Sequence, residues 1–227
     1  MQTMTEIRDD PGVTKNPYWE IVRRLPGDDI TLRYQQRWEP RSYPMRWPGD
    51  HGPGREDLVW RYAWAIPDPA SLAFVAAHAD GGILEPGAGA GYWAWQLSQL
   101  GVTVLAYDQR PPDQIPNRFH LPRHRTDTAG HVRPVFHPVA EGGPEVAAGG
   151  QGMTLLLCWP PYSAPFADEA LRHYPGDQVV FIGEGEGGCN ADDMFFRQLD
   201  QAWEEVATHQ PVQWWGIHDW ITVYRRR

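Results

Sequence analysis

The chain has 227 residues, 29 acidic against 20 basic side chains for a formal net charge of −9, and only two cysteines, Cys158 and Cys189. That length suits one domain with a full core and some extra chain, the acidic balance repels polyanions, and two cysteines make neither a disulfide framework nor a paired zinc set. No apolar run is long enough to span a membrane and Met1 to Asp10 is too polar for a secretory signal, so the protein is expected to stay in the cytoplasm.

Residues 1–55 carry many prolines, charges and scattered aromatics and read as an extension to a domain over 56–227, with Asn16 to Leu25 its one helical stretch. Pro44 to Arg55 reads as loop. Two helices follow, Glu56 to Trp64 and Pro69 to Ala79, the second started by Asp68 with Pro69 at the first helical position. Five of the twelve tryptophans, Trp19, Trp38, Trp47, Trp60 and Trp64, fall in this first part, and exposed tryptophans there would suit a homodimer. Lys15 is the only lysine, which codon usage in a GC-rich genome explains without any function.

Glu85-Pro-Gly-Ala-Gly-Ala-Gly91 lies between the apolar run Gly82-Ile83-Leu84 and a helix-compatible stretch from Tyr92 to Leu100. Strand, glycine turn and helix in direct succession make a nucleotide-cofactor loop, because Gly87, Gly89 and Gly91 let the backbone take positive φ and let a ligand lie against bare amides. Glu85 then matters for its charge. A carboxylate at the turn repels phosphate and suits a cationic ligand. The next strand, Val102 to Tyr107, ends in Asp108, followed by Gln109, at the distance a β-α-β unit requires.

With these residues the chain resembles the class I S-adenosylmethionine-dependent methyltransferases, Glu85 to Gly91 standing as the family's first motif and Asp108 as its ribose acid. The resemblance implies S-adenosyl-L-methionine as cofactor, held by Glu85, Gly87, Gly89, Gly91, Asp108 and Gln109. A nicotinamide dinucleotide site also places an acid after the second strand, but its fingerprint expects glycine where Glu85 stands.

Between Asp108 and the next strand, Arg118, His120, Arg123, His124, Arg125, His131 and Arg133 form the one dense basic segment, read as a solvated loop. Apolar strands then follow at Arg133 to Val139, Met153 to Cys158 and Gln178 to Gly183, and Ala191 to Gln210 reads as an amphipathic helix with Met194, Phe195, Leu199, Trp203 and Val206 on one side. Val212 to Ile217 and Trp220 to Tyr224 read as a closing hairpin turning at His218-Asp219. The expected fold is α/β: a Rossmann-like, mostly parallel seven-stranded sheet with a C-terminal antiparallel hairpin.

Leu155 to Tyr162 is a buried strand running into Trp159-Pro-Pro-Tyr162, a rigid rim at the C-terminal edge of the sheet. It resembles the fourth motif of amino-methylating methyltransferases, in which Asn, Asp or Ser before Pro-Pro-Tyr accepts hydrogen bonds from the substrate amine. Trp159 stands there instead, and an indole N–H only donates, which counts against adenine or cytosine amino methylation. What remains is a pocket with Trp159 and Tyr162 as aromatic walls and Cys158 near the methionine end of the cofactor, a reading preferred to that of a tight turn with core aromatics because the motif sits where ligands bind in open α/β sheets. Glu184 and Glu186, in the glycine-rich turn after the next strand, would bind an amine or guanidinium or provide a base, although a solvated glycine loop explains them as well. His218 with Asp219 makes a general-base pair or a plain turn. Tyr62 and Trp64 close over the cofactor or pack a helix.

Together, Trp159-Pro-Pro-Tyr162, the Glu184 to Gly188 turn and Trp214-Trp-Gly-Ile-His-Asp219 are similar to a group of small, poorly characterised methyltransferase-like proteins, over about Glu56 to Arg227. The expectation is methyl transfer to a small molecule or peptide, on an amine or guanidine nitrogen before a hydroxyl, with no metal, no membrane and no nucleic acid. The alternatives are a nucleic-acid amino-methyltransferase and a non-catalytic protein that binds S-adenosylmethionine.

Overall fold

The computed structural model describes residues 14–24, 55–111, 135–214 and 216–227. Most of the extension, with Trp38, Trp47 and the Pro44 to Arg55 loop up to residue 54, the basic segment from Arg118 to Arg133, and Trp215 lie outside the described residues.

Seven strands form one sheet: β1 (Ile83–Pro86), β2 (Val104–Asp108), β3 (Val139–Glu141), β4 (Thr154–Cys158), β5 (Gln178–Gly183), β6 (Trp203–His209) and β7 (Trp220–Arg226). Their order is β3-β2-β1-β4-β5-β7-β6, with the first five parallel and β7 antiparallel to both of its neighbours. This is the Rossmann-like sheet with a terminal antiparallel pair that the sequence predicts. Helices α1 (Pro17–Val22), α2 (Arg55–Arg61), α3 (Pro69–Ala77), α4 (Tyr92–Gln99), α5 (Phe166–His173) and α6 (Asp193–Ala202) surround it. Among the described residues no helix is long and apolar enough to cross a membrane.

The strands bury both faces because their side chains alternate between two cores. Ile83, Leu156 and Val180 pack with Leu72, Trp93 and Leu97 of α3 and α4, whereas Leu84, Leu155 and Val179 pack with Leu171, Phe195 and Trp203 on the other side. A third cluster joins Tyr18 of α1 to Leu58, Tyr62, Tyr92 and Trp214. Its polar atoms are paired: the Tyr18 N–H donates to Tyr92 Oη at 3.0 Å, Tyr92 Oη donates to Asn16 Oδ1 at 2.9 Å, and Trp214 Nε1 donates to Tyr18 Oη at 3.0 Å. The described part of the extension is thus docked on α4, the helix that follows the glycine loop.

Three elements depart from expectation. The helix expected over Ala191 to Gln210 ends at Ala202, and the chain passes at Trp203, with φ −128° and ψ 156°, straight into β6. Trp203 and Val206 continue the helical spacing by coincidence, but pairing with β7 and the Arg226 guanidinium 4.4 Å over the Trp203 ring hold this stretch extended. The first strand of the closing hairpin is therefore β6, and Val212 to Ile217 belongs to the connection between β6 and β7, where Val212 and Trp214 are buried in the third cluster rather than paired in the sheet. The strand expected over Arg133 to Val139 begins only at Val139, because the Phe136 N–H is donated to Ala90 O at 2.9 Å and Pro138 has no N–H.

Asp68 ties this connection to α3. Its carboxylate caps the helix through Ala70 N and Ser71 N at 3.0 and 3.1 Å, accepts from Ser71 Oγ, and accepts Val212 N at 3.1 Å. Asp68→Ala removes the cap and leaves a buried N–H unpaired, so it is expected to destabilise the fold by about 2–4 kcal/mol in urea denaturation. A loss below about 0.5 kcal/mol would mean that neither contact matters.

Candidate functional site

The C-terminal ends of β1, β2, β4 and β5 converge with the connection into β7, and all twelve predicted site residues stand at this edge. The glycine turn takes its shape from three left-handed residues, Gly87, Gly89 and Gly91, at φ 76°, 56° and 68°. At Gly91, which starts α4, an added Cβ would sit 3.0 Å from both Val139 Cγ2 and His137 Cβ, so the close approach itself excludes a side chain. Asp108 is buried and knits the turn to β2: Oδ2 accepts Gly89 N at 3.0 Å and Oδ1 accepts Arg110 N at 2.8 Å. Gln109 is exposed, its amide lying where a Cβ on Gly143 would come within 2.9 Å.

Glu85 is only 2% exposed, and its Oε2 is buried without a hydrogen-bond partner. Burial, and after it the charge of Asp108, push its carboxyl up to about 8. Cys158, at the end of β4, has its thiol raised by burial, then by Glu85 and then by Asp219, so both carboxyl groups act on it.

Trp159 turns the chain out of β4 in a left-handed conformation, φ 49°, which a residue with a side chain adopts only when its surroundings impose it. Three contacts do so. Its N–H donates to Ile182 O at 2.8 Å, its ring stacks on Trp64 at 5.3 Å and 15°, and its Nε1 donates to Asp219 Oδ1 at 2.9 Å. Tyr162 does not face it: that side chain is 66% exposed, and the aromatic partner of Trp159 is Trp64, with the Arg55 guanidinium 5.7 Å over the far ring. Tyr62 belongs to the core with Tyr18 and Tyr92.

Glu184 is also buried, but its carboxylate is engaged by its own loop. Oε2 accepts Cys189 N at 2.8 Å, and Oε1 accepts His218 N at 2.9 Å and lies 3.2 Å from His218 Nδ1. Burial acts to raise its pKa, yet these donors outweigh it and hold the group below the usual carboxylate value. Glu184 therefore shapes the turn and orients His218, in place of the substrate-facing role expected for it, while Glu186 is exposed. The general-base pair, one of two alternatives for His218 and Asp219, is not what forms: His218 meets Glu184 and Asp219 meets Trp159.

Asp219 is the residue that sequence reasoning passed over as a turn former. It is 2% exposed, and burial pushes its carboxyl up to about 7, against the lowering effect of the Trp159 bond. The available signal was indirect: an indole N–H at the rim of a buried strand needs an acceptor from elsewhere. Among the described residues no cluster of side chains is suited to hold a metal ion.

The fold and edge together define a Rossmann-like protein with a buried carboxyl before its glycine turn and a second buried carboxyl, Asp219, that also acts on Cys158. No protein-family model matches the chain, and no curated protein matches it. Among solved structures it is similar to magnesium protoporphyrin IX methyltransferase from Synechocystis PCC 6803 with bound SAM, at 16% identity over 70% of this chain and 77% of that one, TM-score 0.42. It is also similar to the N-methyltransferase NodS from Bradyrhizobium japonicum WM9, at 12% identity over 69% and 93%, TM-score 0.44. A third is 1,6-didemethyltoxoflavin-N1-methyltransferase from Burkholderia thailandensis, at 17% identity over 70% and 77%, TM-score 0.40. At these identities and scores the similarity assigns neither donor nor acceptor.

Glu85 makes the ligand-free protein pH-sensitive with a definite sign. Below its ordinary value of 4.5 the carboxyl is protonated folded and unfolded alike; as pH rises towards about 8 only the unfolded chain ionises, and stability falls. Glu85→Gln is expected to flatten that fall, melting higher than wild type at pH 8 and close to it at pH 4.5. Parallel curves for the two proteins in thermal melts across this range would contradict the burial.

Proposed function

We propose that the protein is an S-adenosylmethionine-dependent methyltransferase acting on a small molecule or peptide, with an amine or guanidine nitrogen as acceptor. The observation that carries this reading is the unpartnered Glu85 carboxyl, buried beside Asp108 under a turn of three left-handed glycines. A buried carboxyl without a donor is costly, and a ligand that brings positive charge removes the cost. A pyrophosphate would add negative charge at the same place, which speaks against a dinucleotide.

The residues fit the cofactor's parts. Glu85 would meet the α-ammonium group of the amino acid end, the glycine turn leaves room for backbone contact, and Asp108, buried at the end of β2 and bonded to that turn through Gly89, would accept from the ribose. S-adenosylmethionine supplies a methyl group activated on a sulfonium. The chain's contribution is to place and dry the acceptor: Trp64 and Trp159 form an aromatic surface, and Glu184 fixes His218 at the rim. The charge of −9 supports an acceptor other than nucleic acid.

Calorimetry with S-adenosylmethionine, S-adenosylhomocysteine and NAD tests the cofactor. Micromolar binding of the first two is expected, with none detected for Asp108→Ala; binding of NAD alone, or unchanged affinity in the variant, would sink the assignment. Both ligands, each of which brings an α-ammonium group, should also release close to one proton at pH 7. Glu85 is protonated there when ligand-free, since pH 7 lies below about 8, and ionises against the incoming charge. Binding heats in buffers of different ionisation enthalpy measure this, and a heat independent of buffer would contradict it.

A further inference from the structure

An amine acceptor has to lose a proton, and the position that aligns the amine in proteins bearing Pro-Pro-Tyr is here a donor. The Trp159 indole N–H is not available to substrate; it is committed to Asp219 Oδ1 at 2.9 Å. The same bond brings a carboxyl from the β6–β7 connection to the rim beside Pro160 and Pro161. We propose that Asp219 receives the proton of the amine acceptor, and that Trp159 is a positioning residue that holds it there. This rests on the methyltransferase reading above and adds the group that handles the acceptor's proton.

Several observations converge on Asp219. It is 2% exposed, yet no hydrogen-bond donor among the described residues reaches Oδ2, so one oxygen is anchored and the other left for a ligand. Its charge and that of Glu85 both act on the Cys158 thiol, which puts it near the proposed cofactor end and not on a remote surface. Glu184 is no competitor, since both its oxygens already accept from Cys189 and His218. The left-handed Trp159 backbone, fixed by Ile182 O and the Trp64 stack, aims the indole at Asp219.

The groups around Asp219 set its basicity. Burial raises its pKa to about 7, the Trp159 donor lowers it, Glu184 raises it and Arg55 lowers it, with the Cys158 thiol alongside. A carboxyl that titrates near neutrality takes a proton from an ammonium far more readily than an ordinary carboxylate does. In the step proposed, the acceptor ammonium gives one proton to Asp219 Oδ2. The N–H electron pair stays on nitrogen as a lone pair, available for the methyl group that S-adenosylmethionine would give up by breaking its sulfonium C–S bond with that electron pair kept on sulfur, and the proton then leaves Asp219 for solvent.

The test uses the full chain labelled with ¹³C-carboxyl aspartate, the Asp219 signal being identified by its loss in Asp219→Asn. Three results are expected. The signal titrates with a midpoint near 7; Trp159→Phe moves that midpoint upward, since removing the donor destabilises the carboxylate; and benzylamine, added with S-adenosylhomocysteine present, shifts the signal, with affinity at least tenfold weaker in Asp219→Asn. A midpoint near an ordinary carboxylate value, an unmoved midpoint in Trp159→Phe, no benzylamine binding to wild type, or equal binding to Asp219→Asn would each overturn the proposal. Calorimetry of wild type with S-adenosylhomocysteine separates the two readings. If it shows no binding, the cofactor assignment fails on its own, and the Asp219 and benzylamine titrations are read on the free chain.

Discussion

A carboxyl buried without a partner is among the most expensive things a small domain can contain, and the edge of this sheet is organised around one. Glu85 sits at the end of β1, where strand order reverses between β1 and β4 and a crevice opens in any sheet of this topology. The glycine turn that follows presents N–H groups, but its nearest one to a carboxylate, Gly89 N, goes to Asp108. The turn is therefore tied to β2, and Glu85 is left to respond to whatever enters the crevice.

The other acids at this edge show how differently one protein treats the same functional group. Glu184 receives backbone N–H bonds from Cys189 and His218 and stays ionised. Glu85 and Asp219 receive, respectively, no donor on Oε2 and one indole donor, and burial drives both upward. Pushing titratable groups apart in this way is how a site separates binding work from proton work. Here it distinguishes an acid that supports a loop from two that change charge near neutrality.

Much of this edge was legible in the sequence because it depends on short range. The glycine turn, the acid one strand later and the Pro-Pro rim each occupy a few adjacent residues whose backbone needs are fixed by chemistry, and strand β5 fell on its predicted residues. What failed to show was set by distant partners. Trp159 and Asp219 are sixty positions apart, and only the path of the β6–β7 connection, held by Val212 on Asp68 and Trp214 on Tyr18, brings them together. The same connection, read as a strand from its apolar residues, is buried because it packs on α1 and α2. Trp203 and Val206 kept helical spacing beyond the end of α6, so periodicity alone could not separate helix from edge strand there. Tyr162 was chosen as a pocket wall for its place in a motif, while the ring that stacks on Trp159 comes from Trp64, ninety-five residues upstream.

Within the proposed reading, Cys158 links the two acids. Its thiol feels both Glu85 and Asp219, so cofactor binding and acceptor deprotonation fall in one buried neighbourhood. A cation seated on Glu85 would be met by ionisation of a carboxyl that is protonated in the ligand-free protein, so the ligand's charge and the new carboxylate cancel and the field at Asp219 changes little. Asp219 would then keep the basicity its own surroundings give it, and the Trp159 bond is part of those surroundings, favouring the carboxylate while fixing the direction of its remaining oxygen.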